Sequence, residues 1–280
     1  MAPMPEGDTI FRTASVLRAG LVARRIVDAR AQPGPGLRRV PDLSRVIGSV
    51  VTSVEARGKH LLIGFDNGLT LRSHMRMRGS WHRYRPGEPW RLPASQARAV
   101  LETPGAIAVA FNTPTLELLT DAGIARSRAL QELGPDLLAE SFDADEAMRR
   151  LRERDDVALG EALLDQQAVA GIGNVVKSEV SFVERLDPWA PVGRFEDEEL
   201  DRALVTARRL LKANVGGGAR VTTGMRGRGL ELWVYGRAGR PCRRCGTRID
   251  VARQGDLARL TYWCPRCQPR RNPEVRPRSG

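Results

Sequence analysis

Residues 241–268 read PCRRCGTRIDVARQGDLARLTYWCPRCQ, and they contain every cysteine of the chain. Cys242 and Cys245 form one CxxC pair. After 18 intervening residues Cys264 and Cys267 form a second. Two such knuckles at this separation bring four thiolates to one tetrahedral zinc, which predicts one structural zinc ion. Two disulfides or two redox pairs are the competing readings. The first needs an oxidising compartment, and the second expects a βαβ setting absent from the flanking sequence. A four-cysteine site leaves no open coordination position, so the metal is structural and not catalytic. A module of about 35 residues cannot build a core alone, and metal binding supplies the missing folding free energy. Arg259 runs straight into Cys264 through Leu-Thr-Tyr-Trp. It is either a rigidly presented phosphate ligand or plain surface charge.

Outward from this module the composition is that of a globular protein acting on a polyanion. The 280 residues are 41% hydrophobic and 28% charged, a length that suggests two domains. Forty-five basic residues against 33 acidic ones give a net charge of +12. Arginine dominates, and its planar fork suits phosphate. The last 65 residues hold many of these arginines among Gly, Trp and Tyr. No apolar run reaches the roughly 18 residues of a membrane span, and the start lacks a signal-peptide core. A cytoplasmic protein with no membrane partner is the expectation.

Ile10, Ala14, Leu17 and Leu21 recur at helical spacing, with Asp8 or Thr9 available as cap. Short β-like segments follow. Val46 to Val54 alternates, Asp66-Asn67-Gly68 predicts a hairpin turn, and Thr103-Pro104-Gly105 predicts another. Residues 121–142 read as a linker. Asp143 with Glu146 reads as a capping box, and Leu200, Ala203, Leu204, Ala207, Leu210 and Leu211 share one helical face. Leu163 and Leu164 end a helix, Gly171-Ile-Gly173 makes a turn, and Asn174 opens the next helix. Asn174 serves there as N-cap, as phosphate ligand, or as both.

The fold class expected is multidomain α+β. An N-terminal catalytic β-sandwich with a leading helix spans 1–125, a linker 126–142, and a helix–two-turn–helix domain 143–230. A β-hairpin zinc finger spans 231–268, and a disordered basic tail 269–280. Residues 214–229 read as a Gly/Arg-rich mobile loop.

Four of these stretches together resemble one family. Met4-Pro-Glu-Gly-Asp-Thr9 resembles the start of formamidopyrimidine-DNA glycosylase and endonuclease VIII. Arg57-Gly-Lys59 before an apolar strand resembles their lysine hairpin. Leu164 to Glu179 resembles their helix–two-turn–helix motif, and residues 241–268 their zinc finger. The Leu164-Asp-Gln166 stretch, and the lack of an Arg-x-Phe element around Asn112-Thr-Pro114-Thr, resemble the endonuclease VIII side, of a bacterial, actinobacterial-like type.

That resemblance implies a bifunctional DNA glycosylase and abasic-site lyase that removes oxidised bases, pyrimidines above all. Pro5 is then the nucleophile, Glu6 a general acid–base, Lys59 a phosphate-positioning and proton-transfer group, and Arg259 a member of the catalytic set. Asn174 grips phosphate, and Arg76 and Met77 belong to the loop that fills the gap left by the flipped nucleotide. Each has a duller alternative. Glu6 and Asp8 are ordinary first-turn charges, Lys59 a solvated hairpin charge, and Met77 a core residue. The expected partner is double-stranded or bubble DNA carrying oxidised bases or abasic sites, met by a monomer at the nucleoid.

The first residues depart from the family pattern, because Met1-Ala-Pro3 precedes Met4-Pro5. An acylated proline nitrogen is a planar amide and cannot form an imine. The expectation is that translation starts at Met4 and that methionine removal frees Pro5. If Pro5 is acylated instead, a non-catalytic DNA-damage binder on the same scaffold is the alternative. A general zinc-ribbon nucleic-acid binder is a third reading, and it leaves Pro5, Glu6, Lys59 and Asn174 unexplained.

Overall fold

Glu6 turns an extended entry into α1 (Gly7–Leu21), whose buried residues Ile10, Ala14, Leu17 and Leu21 repeat at helical spacing. The N-cap is Glu6 and not Asp8 or Thr9. Asp8 lies inside the first turn, where its charge suits the helix dipole. This computed structural model describes residues 5–37 and 39–271. Met1 to Met4, where the expected translation start falls, and residues 272–280 lie outside the described residues.

The chain divides between Glu132 and Leu133 into two compact units. The first is a sandwich of two four-stranded antiparallel sheets. One has the order β1 (Asp28–Ala31), β6 (Ala97–Thr103), β7 (Ala106–Phe111), β5 (Ser80–Tyr84). The other runs β2 (Val51–Arg57), β3 (His60–Phe65), β4 (Leu69–His74), β8 (Thr115–Thr120). Alternating residues such as Val54, Leu61, Ile63, Leu71, Leu101 and Ala110 share one core with α1. Both predicted hairpins form, closing at Gly68 and at Pro104-Gly105.

Three local expectations are corrected. Val46 to Val54 is not one strand. Asp42 accepts from Ser44 N at 3.1 Å and starts a 3₁₀ turn over Leu43–Val46, so extended pairing begins only at Val51. The stretch read as linker holds two short helices, α2 (Asp121–Ala125) and α3 (Arg128–Gln131). Asp143 does cap α4 (Ala144–Arg152), but Glu146 answers Arg149 and Arg150 instead of the N-cap backbone, so the box is half formed. A complete box stands at Glu196 and Glu199, ahead of α7 (Asp197–Ala213).

The second unit packs α4, α5 (Leu159–Ala162), α6 (Asn174–Val183) and α7 around Leu163, Val176, Val180, Leu200, Leu204 and Leu211. The hairpin of β9 (Asp250–Gln254) and β10 (Arg259–Trp263) follows, with Arg259 opposite Gln254. The expected tail does not begin at 269. Arg270 stacks over Trp189 and Trp263 and pairs with Asp187, and Arg271 pairs with Glu199. No helix among the described residues is long and apolar enough to cross a membrane.

Candidate functional site

In the first unit, Pro5 is half-buried and Glu6 fully buried where α1 begins. Lys59 sits at the tip of the β2–β3 hairpin. Arg57 and His60 are the closing pair, and Gly58 at φ 57° supplies the left-handed backbone that a two-residue turn requires. The tip lysine is thereby held by sheet register, with its side chain partly exposed.

His60 is cross-strand partner to His74, and their rings meet edge to face at 4.8 Å. Burial pushes His60 down to about 3, helped by His74, Arg72, Arg57 and Lys59. Burial likewise pushes His74 down to about 4, helped by Arg76, Lys59 and Arg72. Both rings are therefore neutral at physiological pH. His74 Nδ1 accepts from Arg76 N at 3.2 Å and starts the turn that lifts Arg76, Met77 and Arg78 into solvent. Gly79 closes the turn against the backbone of Met75, where a Cβ would come within 2.4 Å of the carbonyl oxygen. Met77 is 52% exposed, whereas its neighbour Met75 is buried. The core-packing alternative belongs to Met75 and not to Met77.

In the second unit, Gly173 and not Asn174 is the N-cap of α6. Asn174 is the first helical residue and is buried. Its Nδ2 donates to Leu260 O at 2.7 Å, and its Oδ1 has no hydrogen-bond partner among the described residues. One turn on, the fully buried Lys177 donates from Nζ to Thr261 Oγ1 at 2.6 Å. Glu179, also fully buried, accepts from the backbone N–H of Trp233, Val234 and Tyr235 at 2.8–2.9 Å and from the Thr222 hydroxyl. Burial pushes its pKa up, and these four donors work against that shift. One helix thus fixes both the segment entering the zinc module and the strand that starts at Arg259, which is itself partly exposed. Neither Lys177 nor Glu179 was singled out in the sequence. The available signal was a Lys and a Glu two residues apart inside an apolar helix.

The four cysteines carry no disulfide, and their Sγ atoms lie within 4.8 Å of one another. Cys242 and Cys267 are 3.9 Å apart, Cys245 and Cys264 3.4 Å. A tetrahedron with Zn–S bonds of about 2.3 Å has edges of about 3.8 Å, so the donor set fits zinc. Gln268 ties the cluster to the helical core, accepting from Cys264 N and donating to Leu186 O, both at 2.9 Å.

These parts coincide with three family descriptions. The formamidopyrimidine-DNA glycosylase N-terminal domain matches residues 4–115, the H2TH domain of the same enzymes residues 133–224, and the zinc finger found in FPG and IleRS residues 239–270. The chain is 44% identical to a probable endonuclease 8 2 of Streptomyces coelicolor, over 99% of its own length and 98% of that protein's. It is 42% identical to the DNA-(apurinic or apyrimidinic site) lyase Nei2 of Mycolicibacterium smegmatis, with 95% and 99% covered. In fold it is similar to the Lactococcus lactis formamidopyrimidine-DNA glycosylase, solved with DNA containing an abasic site. The TM-score there is 0.79 at 21% identity, with 95% and 100% covered. With all three parts matched in order and relatives this similar along nearly the whole chain, the protein belongs to the formamidopyrimidine-DNA glycosylase and endonuclease VIII family.

Proposed function

We propose that this chain is a bifunctional DNA glycosylase and abasic-site lyase of base excision repair, acting on oxidised pyrimidines through Pro5. The observation that carries this reading is its similarity over 99% of its length to a probable endonuclease 8 2, with Pro5-Glu6 heading α1. The relatives named endonuclease 8 and abasic-site lyase supply the reaction class, and the side chains described above supply a chemically complete route.

A free proline nitrogen is a secondary amine with a pKa of about 8, so part of it is an uncharged nucleophile at neutral pH. It attacks C1′ of the damaged nucleotide. The glycosidic bond breaks, and the base leaves with the bonding pair. Glu6 donates a proton to the sugar ring oxygen, the ring opens, and loss of the proline N–H proton leaves an iminium. The iminium draws electrons from C2′, a C2′ proton departs, and the 3′ phosphate is eliminated. A second elimination expels the 5′ phosphate. Lys59 holds phosphate and carries protons, Asn174 and Arg259 grip flanking phosphates, and Met77 with Arg76 fills the emptied stack. Zinc contributes folding free energy to the hairpin that carries Arg259, and no step passes through it. The working form is a monomer on double-stranded or bubble DNA at the nucleoid.

Borohydride trapping on a duplex with one oxidised pyrimidine tests the reading. A covalent protein–DNA product mapping to Pro5 supports it. Tight binding without any trapped product favours the non-catalytic damage binder, in which Pro5 stays acylated.

A further inference from the structure

At the end of α1 away from Pro5, a concavity of about 1300 Å³ opens within the first unit. The helix has 15 residues, and at 1.5 Å per residue the opening lies roughly 20 Å from the proline. Its wall carries Arg24, Arg25, Arg83 and Arg85, and Glu88 is the one carboxylate among the described lining residues. That carboxylate already accepts from the backbone N–H of Arg85 at 2.9 Å, and one acid does not balance four guanidiniums.

Other arginines of the fold find acids. Arg30 meets Asp28 and Glu102, Arg72 meets Glu117, and Arg152 meets Asp197. Among the described residues, no ion pair involves Arg24, Arg25, Arg83 or Arg85. Arg25 is pinned to the carbonyl of Gly48. Arg83 lies across Gly20, where a Cβ would meet its Cδ at 2.6 Å. Like charges gathered in one concavity repel, and some of these side chains are held by the fold and not free to spread. Guanidinium forks of this kind match phosphate oxygens in pairs.

We infer that this concavity is a second anion site, which holds the sugar–phosphate backbone of a DNA segment other than the one Pro5 attacks. An acidic peptide is the competing occupant. Arginine clusters also take acidic motifs, but protein interfaces concentrate their binding energy in a few anchors seated in well-packed pockets. Here Tyr84 is buried, and apart from Glu88 the rest of the wall is arginine, small residues and proline turns, which favours phosphodiesters. The inference rests on the proposed function only in that the chain handles DNA. Its use would be to keep a second stretch of duplex in contact while the first is being repaired.

The full chain is titrated with a short undamaged duplex at low salt, alongside R24E/R83E/R85E and the milder R24Q/R83Q/R85Q. The wild type should bind two duplexes and the triple variants one. The salt slope of overall binding should fall by about 0.9 for each phosphate no longer neutralised, roughly 3 in all. Excision of an oxidised pyrimidine should stay within about twofold of wild type, since a change of that size is under 0.5 kcal/mol. Equal stoichiometry and slope in wild type and both variants would overturn the site. So would a polyglutamate peptide that binds at these arginines while duplex binding is unaffected. A wild type that excises nothing counts against the proposed function alone, because the stoichiometry is read on undamaged DNA.

Discussion

Asn174 Nδ2 donates to the carbonyl oxygen of Leu260 at 2.7 Å, the residue directly after Arg259. The motif asparagine and the zinc-finger arginine, 85 positions apart in the sequence, are thus joined through one backbone group. Whatever sets the position of β10 also sets the amide of Asn174.

Replacing Arg259 by Ala should weaken binding and excision of a lesion duplex about 10- to 100-fold, since a charge-assisted hydrogen bond to phosphate is worth about 1.5–3 kcal/mol. Zinc content should not change, because the cysteines hold the metal without help from this side chain. Competition binding and metal analysis on the same preparation check both statements. Unchanged excision at physiological salt would remove Arg259 from the site.

Brief treatment with a chelator should leave activity intact, since a four-thiolate site gives no open position to attack. Denaturing the chain with a chelator present, then refolding without zinc, should leave the β9–β10 hairpin unformed and the binding of a lesion duplex at physiological salt strongly weakened. Adding zinc during refolding should restore both. Fast, reversible inhibition by mild chelation would point to a metal in the chemistry itself.

Glu6→Gln should reduce base removal by at least about 100-fold, the usual contribution of a positioned acid–base group. Cleavage at a pre-formed abasic site should suffer less, because its sugar already opens to an aldehyde and no base has to leave. Single-turnover rates on the two substrates separate these effects. Equal losses would mean that Glu6 only orders the start of α1.

The His60–His74 pair predicts an acid-sensitive first unit. Both rings titrate well below 6.5 when folded, at about 3 and about 4, whereas in the unfolded chain they take up protons near 6.5. Stability is then full above about pH 6.5 and falls as the pH drops toward 4, since the unfolded chain binds more protons. The slope should approach about 1 kcal/mol per pH unit for each ring, allowing for solvent screening. Urea titrations of the full chain at pH 7 and pH 5 should show this loss, and His60→Gln should flatten it. A profile equally steep in that variant would assign the acid sensitivity to other groups.

Intact mass and N-terminal sequencing of the native protein should give a chain beginning Pro-Glu-Gly-Asp. A chain beginning at Ala2 that still traps with borohydride would assign the chemistry to a different amine, with Lys59 the first to test. One beginning at Ala2 that does not trap would support the non-catalytic reading.

What could be read from the sequence follows the range of the forces involved. The Asp66-Asn67-Gly68 turn, the α7 face and the cysteine spacing are set by residues close together in the chain, and they appear as expected. Val46 to Val54 misled because its alternation continues through a 3₁₀ turn whose cause, the Asp42 side chain, lies outside the pattern. The tail misled because Arg270 and Arg271 read as solvated charge, while Trp189, Asp187 and Glu199 reach them only in the folded unit. Lys177 and Glu179 stayed invisible for the same reason. Charge in a helix suggests a wet face, and nothing nearby announces that Thr261 and the backbone of 233–235 will satisfy it.

The burial of Lys177 bears on how any trapped product would be assigned. Of 45 basic residues only three are lysines, Lys59, Lys177 and Lys212, and the remainder are arginines, whose guanidinium does not condense with an aldehyde under these conditions. Lys177 is sealed from solvent, its Nζ engaged by Thr261. That leaves Lys59, Lys212 and whatever nitrogen begins the chain as the amines to compare. Peptide mapping of a reduced adduct therefore discriminates among very few positions, and the scarcity of lysine makes this basic protein a nearly silent background for locating its own nucleophile.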